Sequence, residues 1–124
     1  MNHGEPVFAP AAKKYEGGML PFSPLYGIGA VIDLMLRIVP AAIEERVLEL
    51  AGNTRAMLRG LGAEVNAYES QIVTAVLPGS DAGEPARSLS AQRILVSARQ
   101  GRLRVSPHFY NDETDLETLR SALA

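Results

Sequence analysis

An α/β chain of the α+β type, with a small, mostly antiparallel sheet and helices packed on one face, is the fold that this sequence predicts. Three observations predict it. Two consecutive segments with helical apolar spacing meet at Pro40, and a β-branched run occupies Ile72 to Leu77. A second alternating pair then flanks Arg99-Gln100-Gly101, just before an acidic stretch suited to a helix start. The element order α-α-β-β-α-β-β-α pairs neighbouring strands through short turns and leaves the helices to cover one side.

The chain begins with an extended lead-in, residues 1–12, in which Gly4, Pro6 and Pro10 interrupt any periodicity. A glycine-rich loop follows, from Lys13 to Pro21. Ser23-Pro24 then provides an N-cap and a proline at the first helical position, where its missing N–H costs nothing. The helix from Pro24 to Ile38 is apolar on most of its surface (Leu25, Ile28, Val31, Ile32, Leu34, Met35, Leu36, Ile38), and such a helix must be buried or docked against another body. Only Asp33 and Arg37, spaced i and i+4, mark a wet edge.

Pro40 ends that helix and starts the next, Ala41 to Leu61. Its stripe of Ile43, Val47, Leu50, Ala51, Thr54, Leu58 and Leu61 fits a helix laid over a sheet. Gly60-Leu61-Gly62 supplies a left-handed stop. Ala63 to Ala67 and Gln71 to Leu77 are the first two strands. Ser80 or Asp81 caps a helix running to Gln92. Ile94 to Ala98 and Leu103 to Pro107 form a hairpin, and Asp112 to Leu123 closes the chain as a helix with Leu116, Leu119 and Leu123 inward.

Composition narrows the function. One domain is the natural reading of 124 residues. With 12 basic and 14 acidic residues mixed along the chain, nothing asks for nucleic acid or an anionic membrane as partner. The absence of cysteine removes disulfides, thiolate chemistry and cysteine-based metal sites. His3 and His108 lie too far apart in sequence, and in contexts too different, to point to a metal site. No apolar run approaches the roughly 20 residues of a membrane span, and the first residues lack the pattern of a signal peptide. The expected setting is the cytoplasm.

The chemistry concentrates in Arg102 to Asn111. Leu103 and Val105 share one face of the strand, while Arg102, Arg104 and Ser106 share the other, a pattern suited to anion recognition. Asn111 falls where a helix N-cap belongs, and Asp112, Glu113 and Asp115 fill a first turn whose free N–H groups favour negative charge.

The run R-V-S-P-H-F-Y-N from Arg104 to Asn111, with acidic positions just beyond, resembles the end of the small domain in the class V aminotransferase family. These fold-type I enzymes use pyridoxal phosphate (PLP) and include cysteine desulfurases. A second similarity is Tyr15-Glu16-Gly17-Gly18-Met19-Leu20-Pro21, which falls where the family has an aromatic, a glutamate and a glycine ahead of its cofactor-phosphate loop. The resemblance runs from about Lys13 to the end and covers only the C-terminal portion of the family's chain, so that 13–124 corresponds to its small domain. It implies that Arg104 binds a substrate α-carboxylate, that His108 reaches the substrate as a donor or proton carrier, and that Gly18 and Met19 approach the cofactor phosphate.

Each implication has a plain alternative. Arg104 can be a strand arginine paired with a nearby acid, His108 a residue packed in its turn, and Met19 a side chain seated on a neighbouring surface. Many family members carry threonine at the Met19 position, and the hydroxyl that would meet the phosphate is absent here. Lys13 and Lys14, the only lysines, lie in the leading loop and away from the family's Schiff-base motif. The chain by itself is therefore expected not to catalyse the family's reaction. Two functions follow: the small domain of such an enzyme, acting on an amino acid or amine with PLP held by a large domain, or a noncatalytic module that dimerises or binds a partner. Either a large PLP-binding domain or a second copy would cover helix 24–38.

Overall fold

The structure is a computed structural model that describes residues 7–15, 17–18, 21–79 and 81–124. It divides into two units, Met1–Arg37 and Ile38–Ala124. The first unit holds a short 3-10 helix, Ala11–Tyr15, where the sequence predicts only lead-in and loop, and all but the last residue of the helix α1, Phe22–Ile38. Leu25 N–H donates to the Pro21 carbonyl, so α1 starts two residues before the expected proline. Pro24 still falls in the first turn, where no residue has an intrahelical acceptor for its N–H, and it is tolerated there for the same reason as at the first position. No residue of α1 is buried. Its apolar surface stays uncovered within its own unit. No single helix among the described residues is long and apolar enough to cross a membrane.

The second unit opens with α2, Pro40–Gly60, which has proline at its first position. Val39 precedes it at φ 74 and makes no side-chain cap. A β-branched residue in the left-handed region costs on the order of 1–3 kcal/mol, so the entry to α2 is strained. Ile43, Val47, Leu50, Ala51, Thr54 and Leu58 are buried along α2, which reproduces the predicted stripe but for Leu61, the half-buried residue just past its end. The Thr54 hydroxyl, fully buried, donates to the Leu50 carbonyl at 2.7 Å and leaves no unmet polar group there. The helix stops as glycine predicts. Ala63 N–H donates to Leu58 and Gly62 N–H to Arg59, with Gly62 at φ 82.

Four strands follow: β1 (Glu64–Val65), β2 (Val73–Val76), β3 (Ser97–Arg99) and β4 (Arg102–Val105), with the helix α3 (Gly83–Ala91) between β2 and β3 and α4 (Glu113–Leu123) after β4. They form one antiparallel sheet in the order β1-β2-β4-β3. Val73, Ala75, Leu103 and Val105 point to one face and join Ala51, Leu58, Ala82, Leu89 and Leu119 in the core. Helices α2, α3 and α4 cover that face. This is the expected α+β architecture, with a single helix-covered side.

β1, β2 and β4 are shorter than the strands expected at Ala63 to Ala67, Gln71 to Leu77 and Leu103 to Pro107, and two further boundaries differ for identifiable reasons. The strand expected at Ile94 begins only at Ser97, because Gln92 to Ile94 still terminate α3. Ile94 N–H returns to the Leu89 carbonyl and Arg93 N–H to Ser90, with Arg93 at φ 65 in the position glycine usually takes. At the other end, Asp112 rather than Asn111 caps α4. Its carboxylate accepts from Asp115 N–H at 3.0 Å, while the Asp115 carboxylate accepts from Asp112 N–H at 3.2 Å. Asn111 instead closes the corner before the helix, accepting from His108 N–H through Oδ1 and donating to Asp115 through Nδ2. An asparagine and an aspartate side by side are equally good caps by type, and the wider reach of the corner decides between them.

Candidate functional site

The sheet face opposite the helices carries the candidate site. Register places residues across it in rows. Arg104 lies between Thr74 of β2 and Ser97 of β3, and Arg102 lies opposite Arg99. Two-residue periodicity then keeps Arg102 and Arg104 on the same side, with Leu103 turned into the core between them. The hairpin turn sets this register. Gln100 and Gly101, at φ 52 and 72, make the two-residue turn whose twist suits flanking strands.

Arg104 is half-buried, and its Nε–H donates to the Ser97 hydroxyl at 3.0 Å. That bond fixes the plane of the guanidinium and leaves the two terminal nitrogens for a bidentate partner. Among the described residues no carboxylate lies in ion-pair range of Arg104. Arg102 Nη2 stands 3.8 Å from Glu64 Oε1, and the Glu64 side chain is 78% exposed. Ser97 joins the candidate site as the hydrogen-bond partner of Arg104, a position that the sequence analysis does not single out. Its signal was available, since a turn at Gln100-Gly101 places it directly across from Arg104.

His108 occupies a different place. Its ring stacks on Tyr110 with centroids 4.8 Å apart and tilts against Phe109 at the same distance. It lines a hollow of about 280 Å³ together with Pro40, Ile43, Glu44, Val47, Leu48 and Gln71, a set that does not include Arg104. Its Nδ1 is buried without a hydrogen-bond partner among the described residues. The structure does not bring His108 and Arg104 into one constellation. Gly18, at φ 62, has open space around the position a Cβ would take. It belongs to the first unit, and Met19 lies outside the described residues.

The corner beyond β4 is braced by charge. Arg46 of α2 donates through Nη1 to Glu49 at 2.8 Å and to Glu113 at 2.9 Å, and through Nη2 to the Asn111 carbonyl. The hydrogen bond from Arg46 holds the Glu113 carboxyl below its ordinary range, and the same pairing raises the Arg46 guanidinium. Asn111, then the Asp112 N–H, likewise lower Asp115. On the other side of β2, Arg55 Nη2 donates to the carbonyls of Tyr68 and Ser70 and ties the loop before that strand to α2. Both arginines thus anchor the strands that carry Thr74 and Arg104.

A four-stranded antiparallel sheet with three helices on one face and an arginine presented on the other defines a small α+β domain. No family model matches the chain. Comparison with known proteins nonetheless agrees with the resemblance read from Arg104 to Asn111. Over 112 residues the chain is 22% identical to an uncharacterized aminotransferase, YcbU, of Bacillus subtilis (strain 168), covering 89% of this chain and 30% of that protein. Among solved structures, the cysteine desulfurase from Thermococcus onnurineus NA1 superposes with a TM-score of 0.79 at 21% identity over 90% of this chain and 32% of its own. A NifS-like protein gives 0.72 at 16% identity, covering 94% of this chain and 37% of its own. The chain therefore shares the fold of about one third of these proteins, the extent expected of a small domain.

Proposed function

We propose that this chain is the small domain of a class V aminotransferase-like, PLP-dependent enzyme acting on an amino acid or amine, and that Arg104 binds the substrate carboxylate. The observation that carries the reading is the guanidinium of Arg104, held by Ser97 on the uncovered sheet face with no acid in ion-pair range among the described residues. A planar guanidinium with two free terminal nitrogens matches a carboxylate bidentately, and holding the substrate there contributes by orientation. PLP, when bound in such an enzyme, supplies the electron sink for chemistry at the substrate α-carbon. This chain does not provide the lysine for it. Lys13 and Lys14 are exposed in a short 3-10 helix, with Lys14 Nζ over the Tyr15 ring. The large domain of a longer chain would hold the cofactor, and the apolar surface of α1 is where that domain or a second copy would dock.

The test is Arg104→Ala in the PLP-loaded enzyme that contains this sequence. Charge-assisted hydrogen bonds contribute about 1.5–3 kcal/mol, so KM for amino-acid substrates should rise roughly 10- to 100-fold while the cofactor absorbance stays. An unchanged KM would reject the role.

A further inference from the structure

The uncovered sheet face holds more positive charge than one carboxylate requires. Arg99 and Arg102 face each other across the hairpin, on the same side of the sheet as Arg104. Like charges directly opposite on neighbouring strands are destabilising. Glu64 is the one acid within ion-pair range of any of the three among the described residues, at 3.8 Å from Arg102 and mostly exposed. It compensates one arginine at long range and leaves Arg99 without a carboxylate. Along β4, Arg102 is two residues from Arg104, which sets their backbone positions about 7 Å apart on one face. That spacing suits two anionic groups joined by a short chain.

We infer that Arg99 and Arg102 form a second anion subsite beside Arg104, and that the substrate is an amino acid whose side chain ends in a carboxylate or a phosphate. The inference rests on the carboxylate role proposed for Arg104 and names the substrate class for that same site. Arg104 takes the α-carboxylate, and the Arg99–Arg102 row takes the distal anion. Glu64 acts as the resident counter-charge that the ligand displaces from Arg102. The ligand's arrival also relieves the repulsion between the two facing guanidinium groups, so binding and sheet stability reinforce one another.

Titration of the isotopically labelled chain, following the arginine Nε–Hε resonances by NMR, tests this with three probes: L-alanine, L-glutamate and O-phospho-L-serine. L-alanine should shift Arg104 alone, whereas the two dianionic probes should shift Arg99 and Arg102 as well and bind about fivefold more tightly, the gain of one good exposed ion pair. The better of the two identifies the distal group as carboxylate or phosphate. In R99Q/R102Q the preference should vanish while L-alanine affinity is unchanged, and in Glu64→Gln it should grow. Equal affinity for all three probes, or a preference that survives in R99Q/R102Q, overturns the subsite. If L-alanine leaves Arg104 unshifted while O-phospho-L-serine shifts Arg99 and Arg102, the subsite stands and the carboxylate role of Arg104 is what fails.

Discussion

Adjacent residues on β4 should respond to truncation in opposite ways, because the strand has one dry face and one open face. Leu103 is completely buried, with Ala75 and Ala98 as its partners in register. Both register neighbours are small, so neither flanking strand offers a larger side chain to refill the space left by Leu103→Ala. The cost should sit in the middle of the range for buried leucines, about 3–4 kcal/mol. A unit of this size has a total stability on the order of 5–10 kcal/mol, so the loss is a large share of it. With a urea dependence of roughly 1–1.5 kcal/mol per molar, the midpoint should fall by about 2–4 M. Arg104→Ala removes one hydrogen bond to Ser97 on a half-exposed face, and should cost about 0.5–1 kcal/mol, less than about 1 M in midpoint. Urea titration followed by far-UV circular dichroism compares the two. Equal midpoints, or a larger fall for Arg104→Ala, would refute the assignment of the two faces and the site built on it.

Two further outcomes follow from local geometry. The carboxyl of Asp115 is lowered by the Asn111 side chain and the Asp112 N–H, and that of Glu113 by Arg46. A folded pKa below the unfolded value of about 4 gives stability that is complete above that value and disappears as pH falls through the lower folded one. The thermal midpoint should therefore decline as the solution is acidified below about pH 4, and Asp115→Asn should flatten part of that decline; an unaltered acid profile in the variant would show that Asp115 contributes nothing. At the hairpin, Gln100 holds φ 52 beside Gly101, and Gln100→Asn should raise stability by about 0.5 kcal/mol because asparagine accepts this conformation more readily. A lowered urea midpoint in that variant would mean that the turn is of another kind.

Much of this architecture was legible in the sequence because period and punctuation agree. The stripe of α2 is set by residues three and four apart, its stop by Gly62, and the β4 register by Gln100-Gly101. Resemblance placed Arg104, and alternation placed it on the face away from Leu103. What escaped were features whose residue type does not declare them. Arg93 ends α3 in a conformation normally given to glycine, so the following strand begins three residues later than the apolar pattern predicts. Asn111 and Asp112 are interchangeable as caps until the carbonyls and carboxylates around them are known. Ser97 acquires meaning only from what stands across the hairpin. His108 shows the converse: one run of sequence holds it and Arg104, yet its ring lines a hollow with Ile43 and Val47 and stacks among its own aromatic neighbours, just before the turn that Asn111 N–H closes on the His108 carbonyl.

The sheet is also narrow, and its outermost strands are its shortest. β1 has two residues and β3 has three. Exposed strand edges invite pairing with another chain, and brevity together with charged side chains is how natural sheets discourage it. Each rim carries a charged side chain that would have to be desolvated on pairing, Glu64 on one and Arg99 on the other. Both therefore guard against edge-to-edge aggregation of the folded protein, a duty that constrains which substitutions the hairpin can accept even where no ligand is concerned.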